Sequence, residues 1–326
     1  MSKVLVTGGS GYLATHLIAA LLRDGREVRA TVRSTAAREA ELRAAVRRGG
    51  ADDAGLEVVA ADLMSDAGWS AALAGCAEVH HVASPSPVTQ PKDPDELIVP
   101  AREGVLRVLR AARDAGARRT VLTSSFAAIG YSPKPVPDYT EEDWTDPDTP
   151  GLAPYPRSKA IAERAAWDLM AREGGDLELV VVNPTFILGP TLTTDLRASA
   201  QFVKAMLDGT LSVLPRQYFG VADVRDVADL HLRAMAAPEA AGRRYLALAD
   251  GPTISYLDLA RTLRRRLGAA AARVPTEEAP GAEPRRSVIH NDRARKELGW
   301  IPRPAETTIV ETAESLRDLG LLDNPA

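Results

Sequence analysis

Short apolar runs alternate with stretches of helical period along the first half of the chain. Val4-Leu5-Val6-Thr7 reads as a buried strand, and residues 12–24 read as a helix that stops at Gly25. Further strands are predicted at 28–32, 56–60, 79–83, 119–123 and 178–182. Between them lie a charged amphipathic helix at 36–48, a short helix at 69–73, and helices at 98–115 and 156–172. Such strand–helix alternation predicts an α/β fold, a doubly wound parallel sheet with helices on both faces. Three segments read as loops: 84–94 with four prolines, 132–154 rich in Pro, Asp and Thr, and 268–286 rich in Ala, Pro and Glu. The first two follow strands, which places them over the carboxyl edge of the sheet, where ligands bind in open α/β folds. There is no internal repeat. The last third alternates less regularly and predicts a smaller α/β lobe. The expected division is a nucleotide-binding domain over 1–183, rejoined by 221–238, and a substrate lobe formed mainly by 184–326.

Composition narrows the class. The chain has 326 residues, 45% hydrophobic and 26% charged, with a net charge of −4, as expected for one large globular domain plus an appended region. Acids and bases are interspersed, with no basic block for nucleic acid or a membrane surface. The single cysteine, Cys76, can form no internal disulfide, which fits a reducing, cytoplasmic setting. The chain enters a strand at once with no charged leader and apolar core, so no signal peptide is expected. No run of about 18 apolar residues is present, so no membrane helix is expected.

The first strand runs straight into Thr7-Gly8-Gly9-Ser10-Gly11-Tyr12-Leu13-Ala14, which opens the first helix. A strand-to-helix turn of this kind lets the backbone approach a pyrophosphate at the helix N-terminus, with Gly8 and Gly11 at the critical places and small Ala14 packing helix on strand. In this context the turn marks a Rossmann-type dinucleotide site contributed by Thr7, Gly8, Ser10, Gly11, Tyr12 and Leu13. An acidic residue at the end of the second strand would bind the ribose 2′-hydroxyl of NAD. Arg33 stands there instead, roughly 20 residues past the turn, and a guanidinium can clamp the 2′-phosphate of NADP. Arg38 is a further phosphate candidate or an ordinary surface arginine. Asp62, followed by Leu63, either meets the adenine or caps a helix.

Tyr155-Pro156-Arg157-Ser158-Lys159 opens a helix, and the four-residue spacing puts Tyr155 and Lys159 on one face. A carbonyl that accepts hydride develops negative charge on oxygen and needs a proton. Tyrosine, with an ordinary pKa of about 10, suits that task only if neighbours favour the phenolate, as an ammonium and a bound nicotinamidium both do. Thr123-Ser124-Ser125 ends the fifth strand at the carboxyl edge. A hydroxyl there can donate to the developing oxyanion. Ser125 is assigned that role, and Ser124 a structural hydrogen bond.

These motifs together resemble the extended short-chain dehydrogenase/reductase superfamily. Within it they are similar to the dihydroflavonol-4-reductase, cinnamoyl-CoA reductase and yeast methylglyoxal/aldehyde reductase group. The likeness is also carried by Ala61-Asp62-Leu63, Val79-His80-His81-Val82-Ala83-Ser84-Pro85, Val182-Asn183-Pro184-Thr185-Phe186-Ile187-Leu188-Gly189-Pro190 and Ala294-Arg295-Lys296-Glu297-Leu298-Gly299-Trp300. The resemblance implies NADPH and an ordered carbonyl reduction by Ser125, Tyr155 and Lys159, with the lysine also on the nicotinamide ribose. It implies that Ala83, Ser84, Pro85, Thr123 and Ser124 line the cofactor, that Pro184 and Thr185 flank the nicotinamide, and that Ser199 reaches an adenosine phosphate. Phe126, Pro190, Thr191, Phe202 and Tyr218 are the implied pocket walls. Two departures stand out: Glu103 occupies the place before Gly104 where the group carries Asn, and the flavonoid-binding pattern of the plant enzymes is absent.

Adjacent strand residues His80 and His81 face opposite sides and cannot share a metal, and no other spacing suggests one. The acidic loop 138–148 reads as solvated. The expected activity is NADPH-dependent reduction of a ketone or aldehyde to an alcohol. Alternatives are a sugar-nucleotide epimerase or dehydratase, a 3β-hydroxysteroid dehydrogenase, and a non-catalytic NADP-sensing regulator. The expected partner is a small carbonyl substrate, and the chain is expected to be a monomer or homodimer.

Overall fold

The computed structural model describes residues 3–85, 93–196 and 198–322. The proline-rich loop read at 84–94 therefore lies outside the described residues over 86–92. In chain order the first half runs β1 (Lys3–Val6), α1 (Tyr12–Arg23), β2 (Val28–Val32), α2 (Thr35–Arg48), β3 (Leu56–Ala60), α3 (Trp69–Leu73), β4 (Cys76–His81), α4 (Asp95–Asp114), β5 (Arg119–Thr123), β6 (Asp138–Tyr139) and α5 (Pro154–Glu173). The second half adds β7 (Glu178–Pro184), β8 (Phe186–Leu188), α6 (Ala198–Leu207), β9 (Tyr218–Phe219), β10 (Val221–Asp223), α7 (Val224–Ala236), β11 (Arg244–Ala247), β12 (Ile254–Ser255), α8 (Tyr256–Leu267), β13 (Val288–Ile289), α9 (Asp292–Leu298) and α10 (Ala305–Asp318).

Seven parallel strands form the main sheet in the order β11-β7-β5-β4-β1-β2-β3. The order reverses between β1 and β4, which opens a crevice at their carboxyl ends. Alternation along each strand splits the core. Val4, Val6, Val121 and Val182 pack toward α1, α2 and α7, while Leu5, Val79, Leu122 and Val181 pack toward α3, α4 and α5. A third apolar cluster, with Leu188, Met206, Leu263 and Leu316, joins α6, α8 and α10 beyond the sheet. Three two-stranded ribbons, β8–β10, β9–β12 and β6–β13, lie outside the main sheet. Among the described residues no helix is long and apolar enough to cross a membrane.

Several boundaries depart from the sequence expectation for identifiable reasons. β4 ends at His81, two residues early, because the amides of Val82 and Ala83 donate to Thr7 Oγ1 (3.1 and 3.0 Å). α5 starts two residues early, since Pro154 at the first position has no N–H to leave unpaired. β11 is an added strand whose pattern Arg-Tyr-Leu-Ala has no alternation, and it is buried throughout. The acidic loop is not uniformly solvated: Glu141 is buried and accepts the Leu246 amide at 3.0 Å.

His80 and His81 do face opposite sides of the sheet. His80 Nδ1 lies 3.4 Å from His231 Nδ1, and His81 Nδ1 lies 2.8 Å from Thr7 Oγ1. Burial pushes both imidazoles down to about 3, so both are neutral when folded. Unfolded, each takes up a proton near pH 6.5. Unfolding thus binds protons between those values, and stability falls as the pH drops below about 6.5. Denaturant unfolding at pH 5 should show a loss of about 2 kcal/mol for each of the two rings relative to pH 7. Equal stability at the two pH values would contradict their burial.

Candidate active site

The turn after β1 is built for close approach. Gly8 has φ +67°, and a Cβ there would stand 2.9 Å from Ala83 Cβ, so the turn presses directly on the chain leaving β4. The Gly8 amide donates to Thr31 Oγ1 (3.1 Å) and that of Gly11 to the Gly8 carbonyl (2.8 Å). Thr7 Oγ1 accepts the two amides beyond β4, leaving its proton for His81 Nδ1. α1 begins after Gly11 with no side-chain cap and no acid in its first turn, so its positive end is open toward Ser10, Tyr12 and Leu13. Tyr12 itself is turned away: its hydroxyl donates to the Gly189 carbonyl at 2.5 Å.

α2 offers a second open end. Ser34 occupies its N-cap without a side-chain bond, no acid lies in its first turn, and exposed Arg33 stands immediately before it. Arg38 is committed elsewhere, to Glu41 (3.1 Å) and Asp195 (2.9 Å). Asp62 Oδ1 accepts the Met64 amide at 2.9 Å, a local turn bond of the capping kind. Leu63 packs on Gly104 and lines a small cavity of about 20 Å³ with Ala83, Ser84, Pro85, Thr123, Ser124 and Lys159. Ser199 lies half-buried in the first turn of α6. Glu103 pairs with its neighbour Arg102 (2.7 Å).

Ser125, Tyr155 and Lys159 come together at the carboxyl edge of β5. Ser125 caps the short 3₁₀ turn Phe126–Ala128, its Oγ accepting the Ala127 amide at 3.1 Å, and it lines one cavity together with Tyr155. Tyr155 keeps 36% of its surface open and lines the adjoining cavity. Burial raises the phenol pKa, and the Ser125 hydroxyl opposes the rise in part. Lys159 Nζ donates to Ser84 Oγ at 2.9 Å and lies 5.8 Å from the Tyr155 ring centre. Burial brings the Lys159 ammonium down to about 8, with Glu163 pulling in the opposite direction. Ser124 points the other way from Ser125 and donates to the buried Glu163 carboxylate. Thr123 Oγ1 meets His231 Nε2 at 2.9 Å.

Beyond Ser125 and Tyr155 opens a cavity of about 480 Å³, within the range of small-molecule pockets. Of the chain's four Phe and seven Tyr, three and five line it. Phe126 and Tyr218 are among them; Pro190, Thr191 and Phe202 are not. The Pro190 carbonyl meets His16 Nε2 (2.8 Å) under α1, Thr191 is held by Ser315, and Phe202 lies behind the wall against Tyr256. Thr185 reaches the cavity, while Pro184 ends β7 in the core. Residues that the sequence did not mark as pocket walls form much of the lining: Tyr131, Tyr139, Phe186, Gln217, Phe219 and Tyr256. Their signal was composition, since in a chain with 5% aromatics they cluster at β6, β8, β9 and the start of α8. Among the described residues no cluster of His, Cys, Asp or Glu is placed to hold a metal.

Comparison with known proteins bears on this geometry. The family described as "NAD dependent epimerase/dehydratase family" matches residues 4–247. Cinnamoyl-CoA reductase CAD2 of Medicago truncatula is 34% identical over 323 residues, covering 97% of this chain and 95% of that protein. Dihydroflavonol 4-reductase of Hordeum vulgare is 34% identical over 81% of this chain and 74% of its own. Among solved structures, yeast methylglyoxal/isovaleraldehyde reductase Gre2 complexed with NADPH superimposes with a TM-score of 0.83 at 26% identity, covering 98% of this chain and 99% of that one.

The turn geometry is directly testable. Gly8→Ala forces a β-carbon into a left-handed residue and against Ala83, and should lower stability by at least about 1 kcal/mol in urea unfolding. An unchanged midpoint would contradict the contact.

Proposed function

The chain belongs to the NAD dependent epimerase/dehydratase family, as an oxidoreductase of its extended short-chain dehydrogenase/reductase branch, and we propose that it is an NADPH-dependent reductase of ketones or aldehydes. The observation that carries this reading is the meeting of Ser125, Tyr155 and Lys159 between an open helix N-terminus and an aromatic cavity.

The residues present fit NADPH. At Gly8 a side chain would strike Ala83 and push the turn off the chain leaving β4, and the uncapped start of α1 presents amides that would receive a pyrophosphate, with Thr7, Ser10, Gly11, Tyr12 and Leu13 around it. Arg33 and the open start of α2 suit a 2′-phosphate. By the resemblance Asp62 and Leu63 would meet the adenine, Ala83, Ser84, Pro85, Thr123 and Ser124 would line the cofactor, Pro184 and Thr185 would flank the nicotinamide, and Ser199 would reach an adenosine phosphate. Bound there, NADPH supplies the hydride that a carbonyl carbon accepts.

The chain's own residues supply the rest. Ser125 and Tyr155 line the same cavity, and a carbonyl oxygen entering it takes both hydroxyls as donors. With its pKa raised by burial, Tyr155 is a phenol at neutral pH, the form that can give its proton to the oxygen as charge develops. Lys159, still largely an ammonium at pH 7, exchanges Ser84 for the cofactor ribose and lowers the cost of the resulting phenolate. The aromatic wall receives the apolar body of the substrate and excludes water. An epimerase or dehydratase of sugar nucleotides would need acidic recognition of NAD at position 33 and a polar cavity. A 3β-hydroxysteroid dehydrogenase would share the Tyr/Lys pair, and a sensor would have no use for it.

Tyr155→Phe should lower kcat for NADPH-dependent carbonyl reduction by at least about 100-fold, the scale of a lost general acid. Near-normal turnover would overturn its role. Arg33→Ala should raise the Kd of NADPH about tenfold or more, as expected for loss of a charge-assisted contact, and leave NADH binding unchanged. Equal losses for both nucleotides would remove the 2′-phosphate assignment.

A further inference from the structure

One turn beyond Lys159 on α5, Glu163 carries a carboxylate with no exposure at all. Oε1 receives Arg244 Nε from β11 at 2.6 Å and faces Trp167 Nε1 at 3.4 Å. Oε2 receives Ser124 Oγ from the end of β5 and Asn183 Nδ2 from β7 at 2.7 Å. Asn183 Nδ2 also lies 3.2 Å from the backbone carbonyl of Ser125. Arg244 is fixed in turn by the carbonyls of Glu141 (2.7 Å) and Asp143 (2.8 Å), and its guanidinium stacks 3.8 Å from the Trp144 ring centre. One side chain therefore binds the helix that carries Tyr155 and Lys159 to three strand ends, one of which continues into Ser125.

A buried carboxylate is costly, and an apolar residue at this place would pack the helix as well. Its presence one turn from Lys159, with both side chains lining the same small cavity, points to an electrostatic use. We propose that Glu163 is a positioning residue for the reaction, which sets the place of α5 against β5 and holds the Lys159 ammonium in its charged form. This rests on the reading of Lys159 given above.

The charges around the pair are few. On its own helix Lys159 has Tyr155 and Glu163, and from β4 it has neutral His81. β11 gives Glu163 the single cation Arg244. α4 lines the space between them with Ala101 and Val105, and the segment after β3 with Leu63, so no further charge is contributed there among the described residues. Removing the carboxylate charge leaves the burial of Lys159 unopposed, and the amine loses its proton at lower pH. Unpairing the carboxylate, as in Arg244→Gln, does the reverse.

The test reads Lys159 in the free enzyme by pH-dependent competitive acetylation, quantified on its peptide by mass spectrometry. Glu163→Gln keeps the shape and should move the Lys159 titration down by about one unit. Glu163→Asp keeps the charge and should leave it near the wild-type value. Arg244→Gln should move it up, and that opposite sign carries the test if Glu163→Gln does not fold. Lys159 titrating at the wild-type pH in folded Glu163→Gln, or in folded Arg244→Gln, would overturn the proposal. Labelling needs no substrate, so failure to find a carbonyl that the wild type reduces would count against the preceding reading and not against this one. If the wild type does reduce one, the alkaline limb of its kcat profile should move down with the Lys159 titration in Glu163→Gln.

Discussion

A phenol and an amine on one helix face can act only if that helix stands at a fixed height against the strand end beside it. Here the attachment is the ion pair of Glu163 with Arg244, made where both side chains are almost fully excluded from water. Such a pair returns its desolvation cost only when every remaining lone pair is satisfied. Ser124, Asn183 and Trp167 do this for the carboxylate; for the guanidinium two loop carbonyls take Nη1 and the Trp144 face covers the plane, while Nη2 is buried without a hydrogen-bond partner. The consequence is geometric. β5, β7 and β11 are held in one arrangement with α5, so Ser125 and Tyr155 meet without either side chain being separately constrained.

The second constraint is the reversal of strand order between β1 and β4. It opens a crevice whose floor is the Gly8 turn pressed on Ala83 and whose far wall is the start of α5. The crevice and the aromatic cavity share Tyr155 as their boundary. In the proposed reading a nucleotide and a carbonyl compound enter from opposite sides of that residue. Specificity then resides in the cavity wall, which comes from β8, β9, the start of α8 and the loop after β5, none of them part of the main sheet.

Legibility in the sequence follows the range of the interactions involved. The six main-sheet strands up to residue 184, their helices and the phosphate-binding turn were readable because local period and a few glycines specify them. β11 was not, since Arg244 and Tyr245 owe their burial to Glu163 and Glu297, about 80 and 50 residues away in the chain. Ser125 was assigned the substrate-facing role and Ser124 a structural bond, and in the structure Ser124 donates to Glu163 while Ser125 lines the cavity with Tyr155. The pocket was the weakest part. Pro190 and Thr191 follow a strand end, but their chain wraps under α1 to His16 and Ser315, a path that no local pattern encodes. Tyr131, Phe186 and Tyr256 gather only when three separate segments fold together.

The account turns on where a bound nicotinamide would sit relative to Tyr155. A crystal structure of the complex with NADPH measures this most directly. The account places the pyrophosphate on the start of α1 and nicotinamide C4 toward the aromatic cavity, with the phenol oxygen and Ser125 Oγ converging on a point beside it. A nicotinamide directed away from the cavity, or a Tyr155 hydroxyl separated from it by intervening protein, would contradict the account and leave only the fold.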